Sequence, residues 1–309
     1  MSKTFADMKT TEYRAKVFEQ IRHAALEEIR TSRYGRAAAF VQTALRSIGD
    51  YKTADKIKDC QRGQYCGYLY CGVCRKRHAE KMFRRVLERG TAEAVENIGS
   101  GASVRWTTIL DDLVMADSDA VSKAVAAARR RYVNFSRKWT DTWATGVIEL
   151  ELVDMQRVQN MIGQNGNSSR KRDVLLSMGG GDTNYEWIDG GNNKRRDYVL
   201  IHSHLVMGSN THRWDEISDD ARGRWKGSYR VRFDRLRENG TFEQNVQKMS
   251  SYCYKNRMAY NYEFGNYEWE DEIEDQNQFS IREFNTLFNL VDMVMGENRK
   301  GLVLGWNTK

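Results

Sequence analysis

The chain has 309 residues, of which 40% are hydrophobic and 29% charged, and a formal net charge of +7. That length holds one large domain or two modest ones with a sizeable core, and the balance is that of a globular chain. No run of about 18 apolar residues occurs and residues 1–7 carry no secretory apolar region, so neither a membrane span nor export is expected and a cytoplasmic protein is.

The positive charge is clustered. Runs lie at Arg75, Lys76, Arg77 and His78 with Lys81, Arg84 and Arg85, at Arg129, Arg130 and Arg131, at Arg170, Lys171 and Arg172, at Lys194, Arg195 and Arg196, and through residues 222–237. Any one such run is ordinarily a solvated face. Several of them beside eight Trp and fifteen Tyr favour a path for single-stranded nucleic acid, because cations track phosphates and aromatics stack on bases. The chain has no proline, where average usage gives about 15.

In chain order, residues 1–58 read as helical, with apolar residues at helical spacing through 13–22 and 37–48 and a break near 32–35. Cys60, Cys66, Cys71 and Cys74 follow, in the spacing C-x5-C-x4-C-x2-C. Closely spaced cysteines in a cytosolic chain are more often zinc ligands than disulfides, and C-x2-C suits tetrahedral sulfur ligation, so one structural Zn²⁺ is expected. His78 is the alternative to Cys60 as the fourth ligand. Cys253 has no partner in sequence and reads as a packed thiol.

Residues 78–97 return to a helix, 103–110 form a first strand and 118–143 a long basic helix. In a second strand, 146–153, Ile148, Leu150 and Leu152 line one face and Glu149 and Glu151 the other. Residues 154–196 are rich in Gly, Asn, Ser and Arg and read as a basic insertion with little core of its own. A strand at 198–207, a helix near 214–225, a strand at 228–233 and a helix from Phe242 follow. An acidic stretch, 263–275, with seven acids and no base, precedes a final helix at 280–295 and a short tail. Strands alternating with helices fit an α+β fold, a single antiparallel sheet backed by helices. Three regions are expected: 1–98, helical with the cysteine knuckle at 60–78; 99–262, the core with its insertion; and 263–309.

The chemistry concentrates on two segments. In Tyr198-Val-Leu-Ile-His-Ser-His-Leu-Val-Met207, His202 and His204 point to the same side, because side chains alternate across a strand. Two neutral imidazoles on one strand face can hold a divalent metal ion. Glu151, or Glu149 on the same strand face, is the best third ligand. Downstream lies Tyr252-Cys-Tyr-Lys255, where Lys255 sits one helical turn after Tyr252 and brings positive charge to a phenolic oxygen. A metal beside a tyrosine is the equipment of a nucleophile that cleaves phosphodiesters. Tyr254 is the competing nucleophile if the helix begins late. Thr107 and Thr108 read as strand packing.

Taken in order, these segments resemble the rolling-circle replication initiators, the plasmid Rep proteins of the His-hydrophobe-His (HUH) endonuclease superfamily. Cys60 to Cys74 resembles the cysteine cluster ahead of the nuclease core. Arg105-Trp-Thr-Thr-Ile-Leu110 resembles the first, threonine-rich motif, and Gly146-Val-Ile-Glu-Leu-Glu-Leu152 the glycine-to-glutamate strand. His202-Ser-His204 matches the histidine motif and Tyr252-Cys-Tyr-Lys255 the tyrosine-x-x-lysine motif. The resemblance spans roughly residues 55–262. It implies an antiparallel HUH palm and Mg²⁺ or Mn²⁺ at the histidines. It also implies attack by Tyr252 on single-stranded or hairpin origin DNA through a covalent 5′-phosphotyrosine, with a host helicase and polymerase as partners. The chain departs from the pattern at Ser203, where the family prefers a hydrophobic residue. It departs again at Leu200 and Ile201, where related proteins often carry a third histidine, and at Lys248, where some carry a water-activating glutamate. Family prolines are replaced as well, as at Gly72. A transposase of the same superfamily shares all these residues; a non-catalytic zinc-containing DNA-binding protein is the rival of another class.

Overall fold

The computed structural model describes residues 41–61, 64–96, 104–155, 158, 167–178, 197–211, 213–236, 241–253, 281–296 and 302–307. Contacts divide the chain into two compact units, Met1–Arg77 and His78–Lys309. That division falls ahead of the boundary expected near residue 98.

In the first unit, residues 41–47 and α1 (Tyr51–Lys58) are helical. Asp50 starts α1 by accepting a hydrogen bond from the Thr53 backbone N–H at 3.1 Å. Val41, Ala44, Leu45, Ala54 and Ile57 are buried, as are Tyr68 and Leu69 beyond the helix. The helix expected from residue 78 begins earlier: α2 runs Gly72–Glu96, so Cys74 lies in its first turn. The Cys71 carbonyl accepts from the Arg75 N–H at 2.9 Å, closing that turn.

The second unit is α+β, as expected. Its five strands are β1 (Val104–Met115), β2 (Thr142–Asp154), β3 (Asp197–Ser209), β4 (Val231–Arg235) and β5 (Val303–Trp306). They form one antiparallel sheet in the order β4-β1-β3-β2-β5. β3 is central and buried nearly end to end. One sheet face carries His202 and His204; the other carries Ser203.

Among the described residues, helices α3 (Ser118–Lys138), α4 (Asn167–Met178), α5 (Trp214–Arg224), α6 (Phe242–Cys253) and α7 (Ile281–Met295) also belong to this unit. The Asp117 carboxylate caps α3, accepting from the Ala120 N–H at 2.9 Å. Its stripe of Val121, Ala124, Val125, Ala128, Tyr132 and Phe135 is buried, as helical periodicity requires. Tyr132 donates through the sheet's Ser203 side to Asp111, so α3 covers the face opposite the histidines, with α7 packed beside it. α6 opens on a reciprocal cap: the Gln244 N–H donates to Thr241 Oγ1 at 3.2 Å, and the Thr241 N–H to Gln244 Oε1 at 2.9 Å.

Four expectations are refined. The basic helix stops at Lys138, and Thr142 and Trp143 already belong to β2; the Thr142 N–H donates to the Trp139 carbonyl at 3.1 Å, which makes the turn. β1 continues past Leu110 because its register slips between Leu110 and Asp112, leaving Asp111 as an extra, bulged residue. The insertion, read as having little core of its own, carries a helix that adds to the core of the sheet. Val174 and Leu175 of α4 are buried among Leu110, Leu113, Val153 and Leu200, on the histidine face of the sheet. The tail is a strand: β5 pairs with β2, and Leu302 and Leu304 are buried. Among the described residues no helix is long and apolar enough to cross a membrane.

Candidate active site and metal centres

β3 and β2 pair over thirteen residues, placing Glu149 opposite His202 and Val147 opposite His204; on the other side β1 places Thr108 opposite His204. The result is a cluster on one sheet face. Glu149 Oε2 lies 3.0 Å from His202 Nε2 and 3.5 Å from His204 Nε2. One ligand atom from each of Glu149, His202 and His204 lies within 4.8 Å of the others. Glu151 is outside this group. Its Oε2 sits 3.6 Å from the other nitrogen of His202, Nδ1. Thr108 Oγ1 stands in the matching place on His204, 3.2 Å from Nδ1.

The arrangement sorts the ring nitrogens. Each Nδ1 has an oxygen neighbour of its own, Glu151 Oε2 at 3.6 Å or Thr108 Oγ1 at 3.2 Å, and each Nε2 faces Glu149. With their protons on Nδ1, the two imidazoles would offer Nε2 lone pairs beside the Glu149 carboxylate, a donor set that a cation would hold together. Two imidazoles with one carboxylate are an ordinary donor set for a divalent transition metal, so these residues fit such an ion. With their protons on Nε2 the imidazoles donate to Glu149 instead: burial pushes its carboxyl up, but those hydrogen bonds from His202 and His204 outweigh it and hold it well below the usual carboxylate range.

Aromatic rings close one side. Trp106 stacks on His204 with centroids 5.4 Å apart and planes 11° from parallel. Tyr252, in the last turn of α6, meets His204 edge-on at 5.0 Å and Trp106 at 5.8 Å. The fold therefore brings together Tyr252, His202 and His204, which are far apart in sequence. Cys253 is buried, its thiol 3.6 Å from the His204 carbonyl oxygen to which it donates, and burial pushes its pKa well up. It is a packed thiol that ties α6 to β3. Tyr254 and Lys255 lie outside the described residues, as do Lys194, Arg195 and Arg196.

Gly146 has a role that period-two reading does not supply. A Cβ there would lie 2.0 Å from the His204 carbonyl oxygen and 2.9 Å from Leu205 Cα. Gly146→Ala is expected to force β2 from β3 at His204 and to cost about 1–3 kcal/mol, the range for overpacking. Thermal unfolding checks this; an unchanged midpoint contradicts the close approach.

The arginine run lies on α3, with Arg129 and Arg130 exposed. Arg131 is turned to the sheet, 3.5 Å from the Asp111 carboxylate, and Arg129 donates to the Val303 carbonyl at 3.2 Å. Their helix backs the sheet on the face away from the histidines, so Arg129, Arg130 and Arg131 do not line this cluster.

The four cysteines of the knuckle gather as the spacing predicts: Cys60, Cys66, Cys71 and Cys74 place their sulfurs within 4.8 Å of one another. Cys74 Sγ lies 3.6 Å from both Cys60 and Cys66 Sγ, and accepts from the Gly67 N–H at 3.1 Å. The Cys66 N–H points at Cys60 Sγ. Hydrogen bonds from Cys66 and Cys71 pull Cys74 down to about 4, while its bonds to Cys71 and Cys74 push Cys66 up. One sulfur is thus ready as a thiolate, and amide donors stand where thiolate charge would gather. The set fits a zinc ion, and Cys60 is a member of it. No protein family matches the chain, and neither does any curated protein or solved structure.

Proposed function

We propose that the protein is a metal-dependent, site-specific single-strand DNA endonuclease and ligase of the HUH type, which starts rolling-circle replication. The observation that carries this reading is Tyr252 set edge-on against His204, beside a three-donor Glu149–His202–His204 cluster. A divalent ion bound there, Mg²⁺ or Mn²⁺, supplies positive charge to a scissile phosphate. The Tyr252 phenolic oxygen attacks phosphorus and loses its proton to solvent. The bond from phosphorus to the 3′ oxygen breaks, that oxygen takes up a proton, and a free 3′ hydroxyl is left for a polymerase. Tyr252 keeps the 5′ phosphate. Glu151 and Thr108 orient the two imidazoles, and Trp106 holds His204 in plane while walling one side of the site. The antiparallel sheet with histidines on its central strand supports the HUH palm, and the ordered run of five motifs supports the Rep layout.

The test is a denaturing gel of the protein with origin-like single-stranded DNA and Mn²⁺. A covalent adduct is expected. A protein that binds the DNA, forms no adduct and leaves the strand whole is a non-catalytic binder, and the proposal fails.

The knuckle is proposed to hold a structural Zn²⁺ that organises the first unit and takes no part in this chemistry. Protein purified without added zinc is expected to contain about one equivalent, because structural thiolate sites bind zinc with about 10–16 kcal/mol. No zinc, with all five thiols freely titratable, contradicts it.

A further inference from the structure

Behind the histidine pair, on the opposite face of the sheet, lies a carboxylate that the proposed chemistry does not use. Asp111 is the bulged residue of β1 and is 1% exposed. Its Oδ2 accepts from Tyr132 Oη at 2.7 Å and from Ser203 Oγ at 2.8 Å; its Oδ1 accepts from Trp225 Nε1 at 2.7 Å, with Arg131 at 3.5 Å. Two arginines also donate to the backbone carbonyls at the bulge. Arg230 donates to the Leu110 carbonyl at 3.0 Å and to that of Asp111, and Arg131 donates to Asp111 O at 3.1 Å. One side chain therefore gathers β1, β3, α3 and the end of α5.

The member on β3 is Ser203, the residue between the two histidines. Its side chain points away from them, so its anchor and the imidazoles hang from opposite sides of the same three residues. Ser203 stands where the HUH pattern has a hydrophobic residue, and a buried hydroxyl there needs a partner. Asp111 is that partner, and the bulge is what lets it reach: Leu110 stays opposite His202, Asp112 pairs with Ile201, and the extra residue turns its carboxylate under Ser203. Bulges beside functional sites commonly re-aim a side chain in this way.

We infer that Asp111 is a positioning residue for the metal-binding pair: through Ser203 it pins the centre of β3, and with it the spacing of the His202 and His204 Nε2 atoms. Small displacements matter here, since donor sets must be held to about 0.5 Å. The inference rests on the metal reading of the Glu149 cluster and not on DNA cleavage.

The test reads Mn²⁺ directly, by electron paramagnetic resonance titration of the full chain, with Glu149→Ala marking the signal that belongs to this site. Ser203→Ala and Tyr132→Phe each remove one hydroxyl donor to Asp111 with little change of volume. Each is expected to weaken Mn²⁺ binding several-fold, towards the roughly 10–100-fold seen when outer-shell partners are lost. Tyr132 makes the sharper probe, because its helix lies on the far side of the sheet. Asp111→Asn is the rescue control. Its amide oxygen can serve Trp225 and Arg131, which only donate, while its NH₂ faces Tyr132 and Ser203, whose hydroxyls can turn to accept. It is expected to keep Mn²⁺ affinity within about twofold.

Lowered thermal midpoints with wild-type Mn²⁺ affinity in both hydroxyl variants are the signature of a merely structural network and overturn the inference. So does an Asp111→Asn protein that loses more affinity than either hydroxyl variant, and so does a wild-type chain without a Mn²⁺ signal sensitive to Glu149→Ala. Wild-type protein that binds Mn²⁺ at this site and forms no DNA adduct removes the nuclease proposal and leaves this one standing.

Discussion

Tyr252→Phe is expected to abolish the covalent protein–DNA adduct and to lower strand cleavage by about a thousandfold or more, with no comparable loss of stability. The phenyl ring retains the edge contacts with His204 at 5.0 Å and with Trp106 at 5.8 Å, so the packing of α6 on the sheet survives. What goes is one oxygen, and water at neutral pH is a far poorer in-line nucleophile than a phenolate beside bound charge. Tyr254→Phe is expected to keep cleavage and at most to impair strand transfer. The adduct can be located by mass spectrometry on the peptide of residues 249–255, which contains both tyrosines. A nucleotide on Tyr254, or an adduct that persists in Tyr252→Phe, reassigns the nucleophile and leaves the nuclease class intact.

Much of this site is legible in the sequence because it depends on short periods. His202 and His204 share a strand face by alternation alone, Glu149 and Glu151 share another, and the cysteine spacing brings its four sulfurs together. What alternation does not carry is register. Which of Glu149 and Glu151 faces both Nε2 atoms depends on how thirteen residues of β2 slide along β3; the pairing of Glu149 with His202 puts Glu149 there and leaves Glu151 beside His202 Nδ1. Thr108 was legible as packing only; its hydroxyl on His204 Nδ1 is likewise a cross-strand contact.

Asp111 and Asp112 look like the end of a strand, because acids are poor strand formers. The buried donors that keep Asp111 inside come from Tyr132, Ser203 and Trp225, far along the chain. Tertiary context overrides propensity there. The same holds for Val174 and Leu175, two apolar residues in a polar segment that gain meaning only against Leu110 and Leu200. Trp106 lies two residues before Thr108, hence on the same face of β1, and alternation along that strand is the signal that places it beside His204.

Removing any of the three converging donors is the other change with a large expected effect. His202→Ala, His204→Ala and Glu149→Ala each leave two ligand atoms where three now lie within 4.8 Å, and each is expected to lose adduct formation by about a thousandfold while retaining most DNA binding. Binding is expected to persist because the phosphate contacts of the proposed DNA would come from basic residues outside this cluster. Glu151→Ala is expected to behave differently. Its carboxylate faces His202 Nδ1 at 3.6 Å and supports the ring without joining the donor set, so the loss belongs in the roughly 10–100-fold range of outer-shell changes. The comparison is made on adduct yield against Mn²⁺ concentration. Raising Mn²⁺ is expected to recover Glu151→Ala, where the donors are intact and only their orientation has loosened, and to recover Glu149→Ala little. The reverse order, with Glu149→Ala mild and Glu151→Ala dead at any Mn²⁺, would make Glu151 the third donor and turn the imidazoles over.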